Sequence, residues 1–525
     1  MPPAPDGDGD SALPARFRRN VLANYANVLA LLAVAFFTTP LLTHGLGPER
    51  FGIWAIVGAI IPYLEILELG FAATTVTMMA RHTASGETDR VQAIVNTSLF
   101  VLIIPGLLCF GLACVVAMIL PHVVTIVPNQ VADARILVLL LGFDMAVSIP
   151  GDTFGGGLVA MQRYDLLNAS LVSVVLVQAL GWFVVIRLGG GLVALGVVTV
   201  VVSLIGQVAR YLMFRRLLPD LKLTPKGFDR KLVRSFAGLS GWFSFGQVVS
   251  LAVNTMDVVI VGVVVGVVEA GIFAVGLRLA TLAANTVSPV TDVFAPASAE
   301  MVGRGDASKI RALVLIGNRV AMGVAVPAAL VTAVLARPAL RAWVGPLYVQ
   351  ATLVVVLLSA TVVVRASTQS TSSALFGEAE PKVPVLFGAA AFVVHLVLAV
   401  VLGRHYGIVG VAWAVLVSTF IFNGVAMMLL TSRRYQLTVP GYLALLARAH
   451  LLPVLCAGAI GFYLARGPLW QFVQTHGRAV GILAVIFAGV VMLVVYLAIY
   501  LFTGVSGPER SAAADRLRAR LRGAG

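Results

Sequence analysis

The sequence predicts an all-α polytopic membrane protein of about fourteen transmembrane helices, and three observations carry that prediction. Of 525 residues, 59% are apolar and 11% charged, with a mean hydropathy of +0.98; a soluble domain runs near 45–50% apolar and about 25% charged. The apolar residues come in runs of about 20, the length that crosses roughly 30 Å of hydrocarbon. Positive charge collects in alternate gaps between those runs. A soluble enzyme is thereby excluded, and fourteen such spans leave no room for a large extramembrane domain.

Residues 1–14, rich in Pro, Gly and Asp, read as a disordered tail. Arg16, Arg18 and Arg19 precede the first span, Val21 to about Thr43, which is too long for the core of a signal peptide. Further spans are predicted at 52–80, 94–120, 134–160, 166–187, 192–214 and 235–265, then at 270–295, 312–336, 351–375, 384–403, 408–430, 449–465 and 479–502. With the N-terminus inside, the cytoplasmic segments hold 26 Lys and Arg, the opposite side holds 8, and Arg278, Arg319 and Arg365 lie within spans. This asymmetry puts both termini in the cytoplasm and requires an even number of crossings. It also accounts for the net charge of +14 without a nucleic-acid partner.

The longest basic connection divides the chain. Residues 15–217 form an N-lobe of six helices, 218–234 a cytoplasmic linker, 235–432 a C-lobe of six helices, 433–505 two further helices, and 506–525 a basic cytoplasmic tail. The tail is spaced either as a short surface helix on anionic lipid or as a solvated basic segment. The turn GPERFGIWAI from Gly47 returns as GVVEAGIFAV from Gly266, pairing Gly52 with Gly271, Trp54 with Phe273 and Ala55 with Ala274. Six helices per half means both halves enter the membrane in the same direction. Such parallel repeats are a transporter architecture, with the substrate site between the halves.

Cys109, Cys114 and Cys456 all lie in apolar runs without metal or redox spacing, and no GxxxxGK[ST] phosphate loop is present. No catalytic residue, metal or cofactor is expected. The ionisable groups within spans carry more information, since each must find a partner or line a wet cavity. Asp257 and Arg278 lie at equal depth in one hairpin, as an ion pair or as a substrate or proton site. Arg365 is followed by the polar run ASTQSTSS (366–373), one face of which must see water or protein. A permanently charged, fork-shaped guanidinium there is an anchor for phosphate. Arg319, two turns from the end of its span, either joins that site or snorkels. Glu65 and Glu68 share a helix face and suit a proton or cation relay, or else are satisfied by an arginine of another helix. Asn24 and Asn27 share a face that could bind sugar hydroxyls or bond to a neighbouring helix. Asp144, Asp152 and His395 show no evident partner.

The opening NVLANYANVLALLAVAFFTTPLLTHGLGPERFGIWAIVGAIIPYLEILELG resembles the first two helices of polysaccharide and O-antigen flippases. In that family a helix ending in LG…FG.W is followed by one ending in an acidic DLG, here ELG with Glu68. MDVVIVGVVVGVVEAGIFAVGLRLA (256–280) is similar to the family's second-half segment, with Asp257, the turn at Ala270 and Gly271, and Arg278 at matching positions; Phe273 stands where Tyr is common. The likeness extends to about the twelfth helix. It implies membership of the multidrug, oligosaccharidyl-lipid and polysaccharide (MOP) exporter superfamily, with two six-helix lobes in a V and two added helices. It also implies transfer of polyprenyl-diphosphate-linked oligosaccharide from the inner to the outer leaflet of a bacterial cytoplasmic membrane. Membrane lipids and other polysaccharide-assembly proteins are the further partners, coupling to H+ or Na+ is open, and Arg278, Arg319 and Arg365 are the candidates for the diphosphate. Two alternatives are a cation-coupled multidrug exporter of the same superfamily and a membrane glycan polymerase or ligase.

Overall fold

Helix is the backbone form that satisfies its own hydrogen bonds in lipid, and among the described residues of the computed structural model there is no strand. The structure describes residues 15–65, 71–219, 223, 241–291, 307–378, 380, 382–436 and 438–503, with the side chains of 15–32, 65 and 71–74, among others, outside the description. In chain order the helices are α1 (Ala15–Glu65), α2 (Phe71–Ala84), α3 (Thr88–Val123), α4 (Val131–Ala160), α5 (Tyr164–Arg187), α6 (Leu192–Leu217), α7 (Gly241–Val264) and α8 (Val267–Thr291). They continue with α9 (Ala307–Trp343), α10 (Thr352–Ala366), α11 (Gln369–Gly377), α12 (Lys382–Thr419), α13 (Met427–Arg434), α14 (Val439–Arg466), α15 (Pro468–Thr475) and α16 (Arg478–Thr503). Each predicted span is met by helix over most of its described residues, and nine of the described helical stretches are long and apolar enough to cross a membrane.

The boundaries differ from expectation where glycine or polar residues intervene. The first span and the second as far as Glu65 run through α1 and are separated by a bend at Gly47, whose φ of 75° is open to glycine at little cost. A similar bend at Gly407, φ 59°, separates the eleventh and twelfth spans within α12. The predicted tenth span, 351–375, is not one helix: it breaks at Ser367–Thr368 into α10 and α11. The tails 1–14 and 506–525, Glu68 and nearly all of the linker 218–234 lie outside the described residues.

The chain forms two compact units. The first comprises residues 1–45, 64–119 and 132–241, the second 46–63, 120–131 and 242–525. In the first unit Met79, Ile94, Val95, Leu158 and Phe214 form a buried cluster. α3 turns Ile104, Leu107 and Met118 outward while burying Asn96, Thr97 and Ala113, an arrangement suited to lipid outside and polar or small contacts inside. Small residues let backbones approach: a Cβ on Gly142 would lie 2.2 Å from Ala113 Cβ.

In the second unit the two copies of the repeated turn meet. A Cβ on Gly52 would lie 2.0 Å from the Val267 carbonyl oxygen, and one on Gly271 would lie 3.2 Å from Gly52 Cα. The equivalent glycines therefore face each other across a close backbone crossing, flanked by buried Phe51, Ile53 and Phe273 and by Phe51 edge-on to Tyr348 at 6.1 Å. α9 packs against α8, α10, α14 and α16, with Ala321, Ala325, Tyr442 and Tyr496 in a shared core. Gly52→Ala should destabilise the protein by about 1–3 kcal/mol through overpacking. Gly58→Ala, where a Cβ meets nothing within 4 Å, should be neutral or gain about 0.5–1 kcal/mol of helix stability. Chemical unfolding of both variants in detergent checks the contrast.

Candidate functional site

The second unit assembles a polar cluster at membrane depth from three helices. Asp257 lies on the buried face of α7 with Val258, Ile260 and Val261. Its Oδ1 stands 2.7 Å from Nε2 of His395 on α12, and the two residues are 2% and 4% exposed. Arg365, half-buried near the end of α10, interacts electrostatically with both. Tyr63, in the 46–63 segment of this unit, pairs through its hydroxyl with Thr255 and lies within the field of Asp257. Thr255 in turn donates to the Leu251 carbonyl at 3.0 Å. An acid, an imidazole and a half-buried guanidinium thus share one locus, in which Asp257 and His395 are in ion-pair contact and Arg365 lies within their field.

The expected Asp257–Arg278 pair is replaced by Asp257–His395. Equal depth in a hairpin does not fix the angle around each helix axis: Asp257 faces inward, whereas Arg278 follows the buried run Ala274–Gly276 onto the exposed side of α8. His395 likewise acquires a partner that sequence reasoning missed. A lone histidine in an apolar run has no local signal, and its acid lies 138 positions away. Arg319 is half-buried and sits within the field of His450, whose Nδ1 meets the Tyr496 hydroxyl at 2.6 Å and whose ring stacks on Tyr500 at 5.0 Å. It belongs to that aromatic group of α9, α14 and α16.

The polar run after Arg365 is satisfied largely by protein. Ala366, Thr368, Ser370 and Thr371 are buried to 2% exposure or less. The Ser370 N–H donates to Asn318 Oδ1 at 2.9 Å, Asn318 Nδ2 donates to the Tyr442 hydroxyl at 2.8 Å, and Tyr442 donates to the Ser367 carbonyl at 2.5 Å. Thr368 donates to the Asn423 carbonyl at 3.1 Å, and the hydroxyls of Thr431 and Thr371 meet at 3.0 Å. Neighbouring helices therefore take up the backbone groups freed at the break, the condition under which a membrane helix can be interrupted.

The first unit carries a second ladder between α4 and α6. Arg210 Nη2 lies 3.8 Å from Asp152 Oδ1, Gln207 Nε2 donates to the same oxygen at 3.4 Å, and Asp144 pairs with Ser203. Both aspartates thus have partners. Arg210, counted above with the cytoplasmic charges, is 7% exposed inside α6. The side chains of Asn24, Asn27 and Glu65 lie outside the described residues, as does Glu68. Among the described residues no group of three His, Cys, Asp or Glu side chains is placed to hold a metal ion.

Removing one partner of a buried pair leaves an uncompensated group, so His395→Ala should cost about 3–5 kcal/mol. Adding Asp257→Asn should return part of that loss, with a coupling energy of about 0.5–3 kcal/mol. Unfolding of the two single variants and the double variant measures it; strictly additive losses would show that the pair does not interact.

No curated protein sequence matches the chain. Among solved structures, it is similar to an inward-facing multidrug resistance MATE family transporter of the MOP superfamily, at TM-score 0.65 and 13% identity over 78% of this chain and 96% of that one. It is similar to the lipid II flippase MurJ in an inward closed conformation, at TM-score 0.64 and 12% identity over 92% of this chain and 97% of that one. At these identities the likeness establishes the fold. A family model described as polysaccharide biosynthesis protein matches residues 17–302; with more than half its length so matched, the chain belongs to the polysaccharide biosynthesis protein family and has the fold of MOP-superfamily transporters.

Proposed function

We propose that the protein is a flippase that carries polyprenyl-diphosphate-linked oligosaccharide from the inner to the outer leaflet of a bacterial cytoplasmic membrane by alternating access, for cell-surface polysaccharide biosynthesis. Both termini face the cytoplasm in this reading, as the distribution of Lys and Arg favours. The observation that carries it is Arg365, a half-buried guanidinium at membrane depth within the field of the buried Asp257. An arginine is costly there without a task, and its planar fork matches a phosphate oxygen pair. Arg278 on the exposed side of α8 and Arg319 on α9 supply further positive charge for the diphosphate. Asn24 and Asn27 are offered as sugar contacts, while Glu65, Glu68 and Asp257 are offered as gating or ion-coupling groups for H+ or Na+.

The name of MurJ, a lipid II flippase, supports a lipid-linked cargo. The likeness to MATE transporters keeps a second reading, a cation-coupled multidrug exporter. A polymerase or ligase is disfavoured by the short connections at 124–130, 344–351 and 467–477, which leave little room for an extramembrane active site.

Depletion of the protein in its own cell should leave lipid-linked glycan on the inner leaflet, out of reach of an enzyme confined to the outer face. Normal arrival outside without polymerisation would transfer the assignment to the enzyme reading, and unchanged lipid would favour the drug exporter. In the same assay Arg365→Ala should abolish transfer while membrane fractionation shows normal insertion; full activity would remove Arg365 from the site.

A further inference from the structure

α15 is a short helix that joins α14 to α16 and packs against the ends of α9, α14 and α16 within the second unit. Leu469 and Val473, one turn apart, belong to a buried cluster with Leu335, Ala342 and Met492, while Gln471, Gln474 and Thr475 stay exposed. Arginines surround this amphipathic piece: Arg337 and Arg341 on the last two turns of α9, Arg466 just before it and Arg478 just after. Half of the eight basic residues predicted on the side opposite the termini thus lie on one group of helices. Neither α9 nor any of 439–503 contains an Asp or Glu, and among the described residues none of these four arginines forms an ion pair.

Two of the side chains are held against rings instead of extending into water. The Arg337 guanidinium stacks on Trp470 at 4.0 Å and that of Arg466 on Phe462 at 4.4 Å. A guanidinium stacked by its face keeps its N–H donors free at the edge. Phe462 is 53% exposed on α14, so the stack draws the Arg466 charge toward the lipid-facing surface, at the level where aromatic and basic side chains meet headgroups. Arg337 and Arg341 stand one turn apart on α9, a spacing at which like charges repel and an anion between them would bind both. Further into the membrane, Leu483 and Phe487 of α16 are largely exposed and offer acyl chains an apolar surface. We infer that the ends of α9 and α14 around α15 bind the phosphate of an anionic glycerophospholipid, whose oxygens accept from the guanidinium forks. The inference concerns this end of the unit in whichever leaflet it stands, and so does not depend on the flippase reading.

The test uses the purified full-length protein in neutral detergent, titrated with dioleoyl phosphatidylglycerol while its thermal unfolding midpoint is followed, with dioleoyl phosphatidylcholine as the zwitterionic reference. The midpoint should rise saturably with the anionic lipid, and by more than with the reference. Arg337→Gln, Arg341→Gln and Arg466→Gln should each raise the half-saturating concentration about 5-fold, the effect of one interfacial charge. Arg404→Gln, which removes an exposed arginine near the Gly407 bend of α12, should leave it unchanged and controls for net charge. An equal rise with phosphatidylcholine, no rise, unchanged half-saturation in the first three variants, or an equal shift in Arg404→Gln would each overturn the proposal. A rise with a polyprenyl diphosphate but not with phosphatidylglycerol, lost in the first three variants, would also overturn it, reassigning the patch to a lipid diphosphate.

Discussion

A polar group carried into a membrane must find its partner inside the protein, and much of this structure follows from that constraint. Lipid cannot hydrogen-bond, so each unmet group at depth weighs against insertion and folding together. Asp257 meets His395, Asp152 meets Arg210, and Asn318 uses both ends of its amide. In each case the partners lie on different helices, so the same contacts that satisfy the charges also fix how the helices are rotated. The apolar surface does little of this orienting: outward residues such as Leu107 and Phe487 are largely exposed and tolerate many angles in a fluid solvent.

Arg365 lies within the field of Asp257, the carboxylate that His395 also approaches. In the proposed reading this locus is where an anionic group of the substrate would be received. The His–Asp contact beside it joins α7 to α12.

Much of the architecture was legible in the sequence because hydropathy is a one-dimensional signal. Span positions follow from run length, and the repeated turn from five matched residues, whose glycines prove to face each other in space. Legibility ends where the information becomes angular or remote. The depth of Asp257 and Arg278 was readable, but their directions were not, since a rotation of one helix moves a side chain from core to lipid without changing its depth. The broken tenth span was hidden for a related reason: Ser and Thr in 366–373 announce polarity, but whether water or Asn318, Tyr442 and Asn423 receives it depends on helices up to 75 residues away. Asn24, Asn27, Glu65 and Glu68 remain as the sequence presents them.

The hydrogen bonds around Asn318 reach from α9 through the interruption after α10 to Tyr442 at the start of α14. The thirteenth helix carries no motif of the family resemblance, yet its tyrosine closes a carbonyl exposed by the gap in the tenth. Neither position is free to drift alone: losing the phenol strands the Ser367 carbonyl, and losing the amide strands the Ser370 N–H and leaves the phenol oxygen without its donor. Across related chains, Asn318 and Tyr442 should therefore change together, and where a relative has a continuous tenth helix its thirteenth should have no need of a tyrosine there. An appended helix has in this way become part of the inheritance of the core it was added to.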